Sequence, residues 1–140
     1  MNGPGLRYEI ALAIRSGLIV WINGPFPCGA YPDSLIFEMR LKDKLGENER
    51  VEADEGYKKF DPIHAVTPAY ATGNARQELS NKVRARQETI NRRFKQWNAL
   101  GKRFRHDLDL HHVVFEAVAV ITQLAILNGE KLFEINNYVD

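Results

Sequence analysis

Leu6-Arg7-Tyr8-Glu9-Ile10-Ala11-Leu12-Ala13-Ile14, then Arg15-Ser16-Gly17, then Leu18-Ile19-Val20-Trp21-Ile22 is the stretch on which the fold turns. The first run alternates in part and the second is short and apolar. Together they read as a β-hairpin that reverses at Ser16-Gly17. The following Gly24-Pro25-Phe26-Pro27-Cys28-Gly29 reads as a loop, because prolines cannot donate to a strand ladder. Asp33 or Ser34 can cap a helix running to about Leu45. Leu35, Ile36 and Met39 lie on its inner side with the Lys42 stem, and Gly46 stops it. Arg50 to Ala53 is a very short strand with Asp54 at its end, and Ile63 to Thr67 is another, stopped by Pro68.

Two long helices follow. From Ala75 to Leu100, the residues Leu79, Val83, Ile90, Phe94 and Trp97 recur at three- and four-residue spacings, with one gap at Arg86. Leu110 to Leu127 is apolar nearly all round, so burial is expected on every side, and Asn128-Gly129 is its stop signal. Glu130 to Tyr138 reads as a tail or a short strand.

The chain has 140 residues, one domain's worth, with 44% hydrophobic and 26% charged residues. Such a chain can bury a core without staples and is not broadly disordered. Cys28 is the single cysteine, which excludes an intrachain disulfide and a cysteine zinc site. The N-terminal residues lack a basic segment followed by an apolar run, so they do not read as a secretory signal. The stretch Val113–Leu127 is too short and too polar to span a bilayer. No membrane partner is expected.

The formal net charge of +1 conceals an asymmetry: residues 1–74 carry −2, residues 75–106 carry +8 and residues 107–140 carry −5. A net +8 over so short a segment is either a nucleic-acid footprint or a solvated helix face. On its own, segment 75–106 would serve a non-catalytic DNA-binding or protein-interaction module.

Three groups could carry chemistry. Asp54, in Val51-Glu52-Ala53-Asp54-Glu55-Gly56-Tyr57, sits at the end of a strand, where α/β proteins bind ligands, and the same position suits a turn-forming Asp. Glu88 has Arg84, Arg92 and Lys95 within about 40° on a helical wheel, with Ile90 about 160° away. Glu88 is thus either a metal-binding carboxylate in a phosphate-binding groove or one member of a set of i,i+4 ion pairs. The run His106-Asp107-Leu108-Asp109-Leu110-His111-His112 contains zinc-type ligands at a spacing that matches no ligand pattern, and packing and capping explain it as well. There is no glycine-rich phosphate loop, no G-x-S-x-G and no H-E-x-x-H.

The stretch Gly24-Pro25-Phe26-Pro27-Cys28-Gly29-Ala30-Tyr31-Pro32-Asp33-Ser34 resembles the Pro-Gly…Asp-Ser loop of the DDE-superfamily endonucleases of PIF/Harbinger-type transposases. Ala53-Asp54-Glu55-Gly56-Tyr57 resembles their Asp-x-Gly-Tyr segment. The helix Arg84-Ala85-Arg86-Gln87-Glu88-Thr89-Ile90-Asn91-Arg92-Arg93-Phe94-Lys95 resembles their Arg-x-x-x-Glu…Lys helix. Order and spacing agree over about Leu6 to Leu127.

The resemblance implies an α/β, ribonuclease H-like fold: a mixed sheet flanked by helices, serving a nuclease that cleaves DNA phosphodiesters with two divalent metals, Mg²⁺ or Mn²⁺. Asp54 and Glu88 match the second and third acids of its triad, as catalytic and metal-binding residues. Arg84, Arg86, Arg92, Arg93 and Lys95 would hold the DNA backbone. Partners would be DNA, with a separate DNA-binding protein or copies of the same chain, and the location would be the nucleus. The family's first Asp lies on a central strand that precedes the Leu6–Ile14 strand and has no counterpart in these residues. A partial fold, 1–140, is therefore expected, inactive or nearly so alone, with the hairpin and the Arg50–Ala53 strand each lacking a neighbour.

Overall fold

A computed structural model describes residues 5–68, 73–97, 110–132 and 135. The protein is a mixed α/β structure with small sheets and helices. Strand β1 (Leu6–Leu12) and strand β2 (Ile19–Pro27) form the antiparallel hairpin, with Ile10 opposite Ile22 and Ala11 opposite Trp21. Gly17 adopts φ 72 in the turn, a conformation open to glycine at low cost.

β2 runs five residues beyond the expected Ile22, through the two prolines. The ladder tolerates them because β2 is an edge strand and the register shifts between Arg7 and Glu9. Gly24 has φ 142, and a Cβ there would lie 2.7 Å from the Tyr8 ring, so only glycine lets the strands approach this closely.

The helical segment after the loop opens at Asp33, so neither Asp33 nor Ser34 is its cap, and it is not uniform. Helix α1 (Asp33–Ile36) passes into a π-turn (Phe37–Leu41) and then into α2 (Lys42–Lys44). Its cap position is Pro32, with no side-chain cap bond. The wider π-turn rotates the inner face, so Ile36, Phe37 and Leu41 are buried while Met39 is exposed. Strands β3 (Val51–Glu52) and β4 (Ala65–Val66) pair in parallel, with a 3₁₀ helix (Glu55–Phe60) between them.

The strands form two separate two-stranded ladders, β1-β2 and β3-β4. No strand among the described residues joins β1 to β3.

Helix α3 (Asn74–Lys95) and helix α4 (His111–Leu127) are the two long helices among the described residues. α3 stops at Lys95, short of the expected Leu100, so Trp97 lies beyond the helix and is exposed instead of joining the inner face. Residues 98–109 and most of Glu130–Tyr138 fall outside the described residues. The hairpin separates two cores, because successive strand residues face opposite sides. Ile10, Leu12 and Ile22 join a cluster built from Ile90, Phe94, Phe115, Val118, Ala119, Ile126 and Leu132. Ala11 and Trp21 face the other cluster, which holds Phe37, Leu41, Phe60 and Ala65.

α4 departs from expectation. Phe115, Val118, Ala119, Thr122 and Ile126 are buried, but Val113, Val120, Ile121, Leu124 and Leu127 are exposed. Among the described residues, the hairpin and α3 cover one side of this helix.

Candidate functional site

Asp54 occupies the N-cap of the 3₁₀ helix, and its Oδ1 accepts the Gly56 N–H at 2.9 Å. That bond, within Asp54-Glu55-Gly56, is the Asx turn that the residue type predicts. The side chain stays exposed. Tyr57 follows, packed edge-on against Phe37 with ring centroids 5.4 Å apart. Burial pushes the Tyr57 hydroxyl well above its usual range, and the negative charges of Asp33, Glu9 and Asp54 push the same way. Carboxylates from β1, from the start of α1 and from the end of β3 therefore share one neighbourhood.

Glu9 is half-buried. It accepts the Trp21 indole N–H at 2.8 Å on Oε1, while among the described residues its Oε2 has no hydrogen-bond partner. Burial raises its pKa. Arg7 offsets part of this charge: its Nε lies 3.3 Å from Asp33 Oδ1, and its Nη1 donates to the Tyr31 carbonyl at 2.7 Å.

Strand β3 is tied to α3 two residues before Asp54. Glu52, whose side chain is only 2% exposed, accepts from Arg76 Nη2 at 2.8 Å and from the Ser80 hydroxyl at 2.5 Å. Arg76 Nη1 also donates to Ser80 Oγ, closing a three-member network. A buried carboxylate is retained only where donors surround it in this way. Beside the network, Pro68, Gln77, Ser80, Asn81 and Arg84 line a pocket of about 220 Å³.

Glu88 lies two helical turns beyond Ser80, about 12 Å along the axis, and it is exposed. Arg92 and Lys95 are exposed beside it, while Ile90 is fully buried on the opposite face, as the helical wheel predicts. Arg84 is half-buried and donates to Asn81 Oδ1 at 2.5 Å.

Arg86 does not lie on the outer face, where the resemblance would put it. It is 2% exposed and points into the fold, where its Nη2 donates to the carbonyls of Ala13 and Ile14 at the hairpin turn. The gap in the apolar repeat is thus filled by a cation that satisfies backbone acceptors, which removes Arg86 from any DNA-facing set. Arg93 donates to the carbonyls of Glu130 and Lys131, which holds it against the segment after α4.

Among the described residues no group of three or more His, Cys, Asp or Glu side chains converges closely enough to hold a metal ion. Asp54 and Glu88 are hard oxygen donors of the type that suits Mg²⁺ or Mn²⁺, but the described residues do not complete such a cage. In the histidine-rich run, His111 Nδ1 hydrogen-bonds the Tyr8 hydroxyl at 2.7 Å, and the two rings stack. His112 is exposed, and residues 106–109 lie outside the described residues. Among the described residues no helix is long and apolar enough to cross a membrane.

The sequence reading passed over Glu9, Tyr57 and the Glu52–Arg76–Ser80 network. Charged residues inside the short strand runs, Glu9 and Glu52, were the available signal, since a strand flanked by packed layers admits an acid only with partners. Comparison with protein-family models, curated proteins and solved structures finds no match to this chain.

Proposed function

We propose that these residues form the greater part of a transposase-type, metal-dependent DNA endonuclease domain of ribonuclease H-like fold, acting on DNA in the nucleus. Asp54 and Glu88 are two of its three acids, and DNA lies along the outer face of α3. The observation that carries this reading is the Glu52–Arg76–Ser80 network. It fixes the strand leading to Asp54 against the helix that bears Glu88. The two separate ladders support it as well, since a strand placed between β1 and β3 would join them into one sheet. That strand would bring the third acid, from a segment upstream of Leu6 or from another subunit.

Within the site, Asp54 and Glu88 would supply metal-binding oxygens, while Arg84, Arg92 and Lys95 would hold phosphates without reading bases. Mg²⁺ or Mn²⁺, when bound, supplies activation of the attacking oxygen and charge neutralisation at the leaving one.

The test is nicking of supercoiled plasmid by a chain extended upstream of Leu6. Cleavage is expected with Mg²⁺ or Mn²⁺, and loss of cleavage with Asp54→Asn or Glu88→Gln. No metal-dependent nicking by the extended chain, with Glu88→Gln changing nothing, defeats the enzyme reading.

The exposed cations of α3 favour a second reading, a non-catalytic DNA-binding module. Its mark is DNA binding that is indifferent to chelator and survives Asp54→Ala. Affinity should fall steeply with salt, and Arg92→Ala or Lys95→Ala should each lower the slope of log K against log[salt] by about 1. Absence of DNA binding at low salt removes both readings.

A further inference from the structure

The outer face of α4 carries an apolar seam of regular spacing. Leu110, Val113, Ala117, Val120, Leu124 and Leu127 follow one another at intervals of three, four, three, four and three residues, and all six are exposed. That is the a/d pattern of a helix that pairs with another helix. It runs opposite the buried face formed by Phe115, Val118, Ala119, Thr122 and Ile126. Ile121, 45% exposed, widens the seam on one flank. With the larger side chains at 51–59% exposure, the patch amounts to roughly 500–600 Å², at the upper end of what a monomer ordinarily leaves in water.

We infer that this seam is the interface of a two-fold symmetric homodimer in which α4 packs antiparallel against α4 of a second copy. The seam is complementary to its own reverse. Turning one helix end for end sets Leu110 against the partner's Leu127, Val113 against the partner's Leu124, and Ala117 against the partner's Val120. Large side chains then meet at the ends and small ones at the centre, where the helices cross closest. The flanks agree: Val114 meets the partner's Ile121, and Glu116 meets the partner's Gln123. Within His111–Leu127 no carboxylate faces a carboxylate. A parallel pair would instead set Glu116 against the partner's Ile121, an acid over an apolar side chain. Two copies bury about 1,000–1,200 Å² in total, which clears the threshold for a specific interface. The two-fold axis makes every seam residue count twice. The inference is independent of the nuclease reading.

Sedimentation velocity of the chain at high micromolar concentration should give twice the chain mass. Leu124→Glu and, separately, Ile121→Arg should yield monomers with unchanged helical circular dichroism. Ile63→Lys, an exposed site in the turn beside the other core cluster, should leave the dimer intact. In a Cys28→Ser background, oxidation of a mixture of Val113→Cys and Leu124→Cys chains should give the mixed disulfide, whereas Val113→Cys alone should not cross-link, because its two copies lie about 16 Å apart along the antiparallel pair. A wild-type chain that stays monomeric, or a dimer untouched by both seam variants, overturns the proposal. Cross-linking through Val113→Cys alone overturns the antiparallel arrangement.

Discussion

α3 and α4 cover the same side of the hairpin and feed the same core, yet their outward faces have opposite character. α3 gives Ile90 and Phe94 to that core and shows Glu88, Arg92 and Lys95 to water. α4 gives Phe115, Val118, Ala119 and Ile126, and shows water a second apolar stripe. The difference teaches what periodicity can reveal. Where apolar and polar residues alternate with helical period, the inner face can be read directly. Where a helix is apolar all round, the same reading yields "buried" and cannot say by what.

Core deletions should mark the inner faces most strongly. Phe94, 3% exposed, packs tilted against Phe115 with ring centroids 5.1 Å apart, and Phe115 lies against Tyr8 in turn. Phe94→Ala should cost about 3–5 kcal/mol in urea unfolding. Arg92→Ala, two residues away in sequence but on the wet face, should stay within about 0.5 kcal/mol. Equal effects would erase the distinction between the two sides of α3.

Arg86→Ala sharpens the comparison further, because this cation belongs to the inner side. Truncation leaves the Ala13 and Ile14 carbonyls without their charged donor, and the loss should be about 2–3 kcal/mol by the same measurement. An unchanged midpoint would mean that the guanidinium contributes nothing to the turn.

A smaller effect should appear with pH at the start of α4. Burial lowers the His111 pKa, so the folded protein binds its proton less readily than the unfolded chain does. The stabilising contribution is present above the ordinary histidine value of about 6.5 and declines as pH falls from there through the lowered folded value. His111→Gln should flatten the dependence of the urea midpoint on pH in that window. Tyr8, whose hydroxyl is pushed up to about 12 by burial and by the charge of Glu116, stays neutral throughout.

Much of the architecture was legible from local pattern. Ser16-Gly17 marked the hairpin turn, and the spacings of Ile90, Phe94 and the α4 residues marked two long helices whose described bounds lie close to those expected. What escaped depended on tertiary context. The passage of β2 through Pro25 and Pro27 required an edge and a glycine at 24 to admit close contact with Tyr8. The π-turn, which exchanged Met39 for Phe37 and Leu41 at the inner face, has no signature in the residue types. Within the candidate site, the strand-end position of Asp54 and the exposure of Glu88 followed from local rules. The inward course of Arg86 did not, because it depends on carbonyls more than seventy residues away.

Gln123 lies against the free edge of the hairpin at Ile19. Its amide accepts the Ile19 N–H at 2.9 Å and donates to the Ile19 carbonyl at 3.1 Å, so one side chain imitates a neighbouring strand along the outer margin of β2. A hairpin margin left bare invites other chains to stack onto it as sheet. The glutamine closes that route at Ile19, and Gln123→Leu should form more thioflavin-positive deposit on standing than the unsubstituted chain.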